Sequence, residues 1–448
     1  MPTAPDMPNT PDATTTANKP TSKPTTKAKR APKPTATQPA IGGAITPDYA
    51  RRLARIRARL ADHELDGLLI ASQYNRRYLT GFTATDGDIT ESAGWALITP
   101  QTFALITSSF HLNGIEDQIV PSGVTLVPTD EMLSWDALAK AIKGEAEGTS
   151  GGKAKKAKSG KLRLGFEKEW FSYAAYAHVA RALREQLPYV ELVPSDDLVE
   201  FVRASKDEAE IAVIRRAAEI ANQAFARLVA GLRPGMTERQ IAATLERHMI
   251  DLGADEPSFD TIVACGPGGA LPHWTPSDRE ARMGEPLLID FGCRVAGYCS
   301  DLTRTICLGE PDDKLREVYT LVRKAQDAGL AALKSGVRRG RDVDAAARKV
   351  FEEAGSGDYF IHSLGHGVGL AVHELPAISR LRIQTPERDA ELAKVEQIET
   401  NAVVTNEPGL YYAGWGAVRL EDMILVRDHD AELFTDRNPE QILCVPVQ

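Results

Sequence analysis

From Pro47 onward the chain alternates between apolar residues at helical spacing and short apolar runs; before that point it does neither. Leu53, Ile56 and Leu60 fall on one helix face, and Leu68 to Ala71 follow as a short buried strand, which is the opening of an α/β unit. Trp95 to Ile98 and Phe103 to Ile106 read as further strands and Trp170 to Leu187 as a helix, which completes a first domain over residues 46–200. Gly144 to Lys161, rich in glycine, lysine and small residues, reads as a flexible exposed insertion in it. Ser205 and Glu208 have capping-box spacing ahead of an apolar face made by Ile211, Ile214, Ala218, Phe225 and Leu228, so a long amphipathic helix opens a second domain over residues 201–448. Thr237 and Gln240 repeat that signal, and Pro311 to Lys334 and Asp342 to Glu353 supply two more helices. Strand pairs lie between these helices, which predicts helices covering an antiparallel sheet and an α+β fold class for the whole.

Composition narrows the function classes. Residues 1–45 are mostly Thr, Pro, Ala and Lys with almost nothing large to bury, and are expected to be a disordered, mildly basic tail. The rest has ordinary globular character, with 43% hydrophobic residues overall and a net charge of -9, which gives no electrostatic reason to expect a nucleic-acid partner. No apolar run is long enough to span a membrane, and the N-terminus has no apolar core of a secretory signal. Five cysteines without CxxC spacing imply neither a disulfide framework nor a zinc ribbon, so a cytoplasmic location with reduced thiols is expected.

The chemistry collects where acidic residues interrupt apolar strands. In Glu285 to Leu308, Leu287 to Ile289 lead into Asp290, and Asp301 leads into Thr303, Thr305 and Ile306, with a turn marked by Ala296 and Gly297. A hairpin symmetric about Val295 and Ala296 would set Asp290 directly opposite Asp301. Two ionised carboxylates that close repel unless one holds a proton or a cation lies between them, and a metal is the simpler reading. Ala402 to Val426 repeats the theme, with Glu407 and Glu421 related by a turn centred on Gly414. Between the hairpins, Ile361 to Pro376 crowds three histidines among glycines Gly365, Gly367 and Gly369, which let backbone approach a site closely. Four carboxylates and one imidazole from three segments suit a pair of divalent ions such as Mn²⁺ or Co²⁺.

The combination of SDLTRT after GYC, GHGVGLAVHE, NEPG and VRLED resembles the metallopeptidases that include aminopeptidase P, prolidase and methionine aminopeptidase, whose catalytic domain has the pita-bread fold. RYLTGF at Arg77 to Phe82 is similar to the creatinase-type N-terminal domain of the Xaa-Pro peptidases. The resemblance implies that Asp290 binds one metal, that Asp301 and Glu421 bridge two, and that His366 and Glu407 complete the other. It makes Glu407 a proton shuttle as well. His273 and His373 match histidines that hold substrate and stabilise the tetrahedral intermediate, and His362 and Arg419 match substrate-binding positions near the site. The implied cofactors are two divalent ions, Mn²⁺ foremost with Co²⁺ or Zn²⁺ as alternatives. The implied substrate is a proline-containing peptide, cleaved at an Xaa-Pro bond at its N-terminus or in a dipeptide, and the expected assembly is a homodimer. Departures from the family pattern are Ala371, where relatives often carry an acidic residue, the polar Asn406, and a longer stretch between Pro376 and Asn401 read as an extra loop at the cleft. A catalytically silent binding module and a metal-free creatinase-type enzyme are the rival readings; retention of all five ligand positions argues against both.

Overall fold

The computed structural model describes residues 47–446 apart from 88–90, 113, 131–134, 148–160 and 381–392. The expected N-terminal tail, most of the expected insertion and half of the longer stretch before Asn401 therefore lie outside the described residues. The first four residues assigned to the insertion, Gly144 to Glu147, instead finish a helix, Trp135–Glu147.

The first domain is a six-stranded mixed sheet. Its order is Thr125–Thr129, Phe103–Ser108, Gly94–Ile98, Gly67–Ile70, Leu162–Glu167 and Val190–Ser195. Gly67–Ile70 runs antiparallel to Gly94–Ile98 and parallel to Leu162–Glu167, so the strands predicted from apolar runs become central and fully buried. The helix predicted from Leu53, Ile56 and Leu60 is Tyr49–Asp62, with Ile56 and Leu60 in the core. The predicted helix at Trp170 starts three residues later, at Tyr173, because Ser172 accepts a hydrogen bond from the Ala175 N–H and caps it.

The second domain opens with helix Glu208–Gly231, but its capping box is not the expected Ser205–Glu208 pair. Asp207 accepts from the Glu210 N–H at 2.9 Å, and Glu210 accepts from the Asp207 N–H at 2.9 Å. Ser205 has the same spacing to a glutamate, yet its hydroxyl donates to the Thr400 carbonyl, so the two boxes competed and the aspartate won. The Thr237–Gln240 box forms as predicted and starts helix Glu238–Asp251. These two helices pack through Ile220, Ala224, Leu228, Ile241 and Leu245 on a sheet of Ile262–Cys265, Pro286–Phe291, Leu302–Leu308 and Leu443–Val445. A second helix pair, Asp313–Lys334 and Gly340–Glu353, covers a five-stranded sheet in the same way. Leu315, Val322, Val343 and Phe351 meet Val404 and Ile424 there. The pairing is antiparallel except at Leu443–Val445, which adds to Leu302–Leu308 in parallel. No helix among the described residues is long and apolar enough to cross a membrane.

Candidate metal centre

The hairpin carrying Asp290 and Asp301 has a different register from the one expected. Ala296 and Gly297 both have positive φ, 47° and 85°, and form a two-residue turn, so Val295 pairs with Tyr298. That places Thr303, not Asp301, opposite Asp290. Asp301 lies two residues before Thr303, on the same face along the diagonal. The second hairpin keeps the expected centre. Asn406 pairs with Asp422 and Gly409 with Arg419, both symmetric about Gly414, so Glu407 and Glu421 fall opposite each other between the two paired stretches.

The two hairpins are joined at the site. The Glu421 N–H donates to the Thr303 carbonyl at 3.1 Å, and the Thr303 hydroxyl donates to Glu421 Oε2 at 2.7 Å. His366 sits mid-strand in Gly365–Gly367, where its N–H is held by the Thr405 hydroxyl at 3.1 Å. The glycines on either side serve close strand approach: a Cβ on Gly365 would stand 2.3 Å from the Thr405 carbonyl oxygen and one on Gly367 2.1 Å from that of Leu375. His366 Nδ1 is 3.1 Å from the Gly367 carbonyl, which fixes the proton there and leaves Nε2 as the lone-pair atom. Nε2 is 3.4 Å from Glu407 Oε1 and 3.7 Å from Asp301 Oδ2. Asp301, His366 and Glu421 each bring one ligand atom to within 4.8 Å of the others.

The electrostatics call for positive charge. Burial, followed by the charges of Glu421, Asp290 and Glu407, pushes the Asp301 carboxyl well above the usual range. Burial together with Glu407 and Asp290 does the same to Glu421. Burial would also raise Glu407, but the hydrogen bond and charge of His366 hold it below the usual value. Asp290 Oδ2 accepts from Arg419 Nη2, whereas its Oδ1 is buried with no hydrogen-bond partner among the described residues. A buried oxygen without a donor among the described residues, two carboxyls raised by burial and by neighbouring carboxylates, and an imidazole nitrogen close to them fit divalent ions with oxygen-rich coordination.

All nine residues singled out in the sequence line one cleft of about 720 Å³. Two of them are also tied into the wall of the cleft by hydrogen bonds. Arg419 is buried and spends its guanidinium on Asp290, on the Thr303 hydroxyl at 3.0 Å and on the Tyr411 hydroxyl at 2.7 Å. His362 donates from Nδ1 to the Ser363 carbonyl at 2.8 Å and accepts from the Tyr411 hydroxyl at Nε2, 2.9 Å away. Both are thus held in place at the cleft wall, and burial lowers the pKa of His362. His273 and His373 are open to the cleft. The His373 ring lies edge-on to His366 with centroids 4.3 Å apart. Cleft burial, with His366 and His273 nearby, depresses its pKa to about 4.

The sequence reading missed Thr303, Tyr411, Glu238 and Glu374. Thr303 would have emerged from placing the turn at Ala296–Gly297. Glu238, fully buried, accepts from the Cys265 N–H, the Trp274 indole and the Ser277 N–H and hydroxyl, and so pins the segment that carries His273.

A family model described as metallopeptidase family M24 matches residues 212–428, and one described as the creatinase/prolidase N-terminal domain matches residues 52–205. The uncharacterized peptidase YqhT of Bacillus subtilis is 35% identical over 401 residues, covering 88% of this chain and 99% of that one. An Xaa-Pro dipeptidase of Pyrococcus horikoshii is 32% identical over 380 residues, covering 85% and 95%. Among solved structures, an Xaa-Pro dipeptidase from Bacillus anthracis superposes with a TM-score of 0.74 at 34% identity, covering 89% of this chain and all of that one. An X-Pro aminopeptidase from Thermotoga maritima gives 0.72 at 32%, covering 88% and 99%. The helix-covered second domain is thus a pita-bread domain behind a creatinase-type first domain, and the chain belongs to metallopeptidase family M24 as a hydrolase.

Proposed function

We propose that the protein hydrolyses peptide bonds whose nitrogen belongs to proline, and that Asp290, Asp301, His366, Glu407 and Glu421 would hold two divalent ions. The observation that carries the proposal is the convergence of those five side chains in one cleft, with His366 Nε2 turned to Glu407 and Asp301 and a buried Asp290 oxygen that has no donor among the described residues. The names of the relatives, Xaa-Pro dipeptidase and X-Pro aminopeptidase, support the choice of bond. When bound, such ions supply Lewis acidity toward the scissile carbonyl and a nucleophile at neutral pH.

The chain's own residues do the rest. Glu407, kept ionised by His366, accepts the proton of the attacking water and delivers it to the prolyl nitrogen as the C–N bond breaks. The water's hydroxyl stays on the new carboxyl carbon and its proton on the new secondary amine, so the hydrolysis balances. The leaving nitrogen must gain a proton as for any peptide bond; what proline changes is that its nitrogen has no N–H with which the substrate could be held. His373, neutral because its pKa lies near 4, donates a hydrogen bond to the oxyanion that develops at the carbonyl. His273 positions the substrate from the other wall of the cleft, where Phe259 and Trp274 offer apolar surface to the proline ring.

The test is product analysis on an Xaa-Pro dipeptide, a longer Xaa-Pro peptide and an Xaa-Ala control, each with Mn²⁺ and with chelator. Cleavage of either proline substrate, absence of cleavage of the control and loss with chelator are expected. Equal cleavage of the control would refute the proline assignment, and chelator-resistant activity would favour a metal-free enzyme.

A further inference from the structure

The His373 ring has no hydrogen-bond partner among the described residues, so its aim is set by its edge-on contact with His366 and by the backbone of residues 371–374. That backbone is gripped by Glu374. Its side chain is only 4% exposed and accepts from Lys206 Nζ at 2.8 Å, from Arg203 Nη2, and from the Ala371 N–H at 3.3 Å. The carboxylate therefore ties the residue two before His373 to the residue one after it.

The chain of contacts continues into the first domain. Arg203 Nη1 donates to Asn75 Oδ1 at 2.8 Å, and Asn75, fully buried, donates from Nδ2 to Glu167 Oε1 at 2.6 Å and Glu200 Oε1 at 2.5 Å. Glu167 Oε2 in turn accepts from the N–H groups of Ala71 and Ser72, at 2.8 and 2.7 Å, where the central strand Gly67–Ile70 ends. Arg203 Nε is buried without a hydrogen-bond partner among the described residues, so the guanidinium's hydrogen bonds run through its two Nη groups, with the centre of the Tyr74 ring 5.8 Å from its carbon. A buried ion pair such as Arg203–Glu374 adds little net stability relative to apolar packing of the same volume, because desolvation offsets the attraction. What it does supply is direction.

We propose that the first domain positions His373 through the buried chain Asn75–Arg203–Glu374, which makes Asn75 of that domain, and Arg203 at the junction of the two domains, positioning residues of the catalytic site on the second domain. The proposal rests on the reading of His373 as the oxyanion donor. It assigns the first domain a part in turnover that does not require it to touch the substrate.

The experiment is a double-variant cycle on the metal-loaded full chain, with Arg203→Lys made alone and in a His373→Ala background. Metal content, melting temperature, kcat and KM are measured for each variant on an Xaa-Pro peptide. Arg203→Lys alone should lower kcat about 10- to 100-fold with KM little changed and both ions retained, the loss expected when a reacting group is misplaced by up to 1 Å. In the His373→Ala background the same substitution should change kcat by no more than about two-fold, because residues acting through one another are not additive. Losses that multiply in the double variant would overturn the proposal, as would full activity of Arg203→Lys. Should Arg203→Lys not fold, Glu374→Gln, which keeps volume and an acceptor, carries the same cycle with the same two outcomes. Full activity of His373→Ala alone would instead remove the role given to His373, so the two failures are distinguishable.

Discussion

Gly292 lies two residues beyond Asp290, where the chain crosses Ser300 and Asp301, and replacing it with alanine tests whether the hairpin geometry holds the ligands. A Cβ at this position would stand 1.8 Å from the Ser300 carbonyl oxygen, 2.7 Å from its carbon and 3.2 Å from the Asp301 nitrogen. Gly292 is not among the left-handed glycines, so the cost is steric rather than conformational. Real Cβ atoms do not approach closer than 3.0 Å, so the Ser300 carbonyl has to retreat by about 1.2 Å and take Asp301 with it. Three bonds among others resist: Ser258 hydroxyl to the Ser300 carbonyl at 2.8 Å, Ser300 N–H to the Cys293 carbonyl at 2.9 Å, and Cys293 N–H to the Ser300 hydroxyl at 3.0 Å. Overpacking of this kind costs about 1–3 kcal/mol. In a domain of this size that lowers the melting temperature by roughly 2–12 °C. A ligand displaced by about 1 Å should also lower kcat about 10²-fold. The assay is a thermal melt of chelated and Mn²⁺-loaded protein with kcat on an Xaa-Pro peptide. Gly231→Ala is the control, since its added Cβ meets nothing within 4 Å, and it should match the parent or melt slightly higher. If Gly292→Ala melts with the parent and turns over normally, the register described for this hairpin is wrong.

Two further predictions concern charge and division of labour. In chelated protein burial first, and then the neighbouring carboxylates, raise Asp301 and Glu421 above the ordinary carboxylate range, so the folded state holds more protons than the unfolded one between the ordinary and the raised pKa. Their stabilisation is present at low pH and is lost as pH rises above the ordinary carboxylate range toward the raised pKa, so the gap in melting temperature between loaded and chelated protein should widen with rising pH there; a gap that narrows would contradict this. Glu407→Gln should lose both metal and activity, whereas His373→Ala should keep two ions while kcat drops about 10²- to 10³-fold. Metal analysis beside single-turnover rates decides the matter, and metal loss in His373→Ala would make that residue a ligand.

Much of the fold is written in local signals. The Thr237–Gln240 box and the apolar faces of the long helices depend on residues three or four apart, which a sequence displays directly. The second hairpin was legible because one glycine, Gly414, marks its centre. The first was misplaced by one position, because Ala296 adopts positive φ where an alanine gives no sign of it. Ser205 and Asp207 offered equivalent caps, and the choice between them turns on a contact with Thr400 nearly two hundred positions away. The same limit explains Arg419 and His362. Both stand where the family pattern puts them, but only the fold shows that Tyr411, Thr303 and Asp290 already occupy their hydrogen-bonding groups. Glu374 was read only as part of a motif, since its partners Arg203 and Lys206 come from a segment with no sequence relation to it.

The most direct test is a calorimetric titration of chelator-stripped protein with Mn²⁺, with hydrolysis of an Xaa-Pro peptide followed on the same samples. Five protein ligands in one cleft predict two ions bound per chain, and hydrolysis that returns only as those ions are taken up. Binding of a single ion with full hydrolysis, or full hydrolysis with no ion bound, would contradict the account.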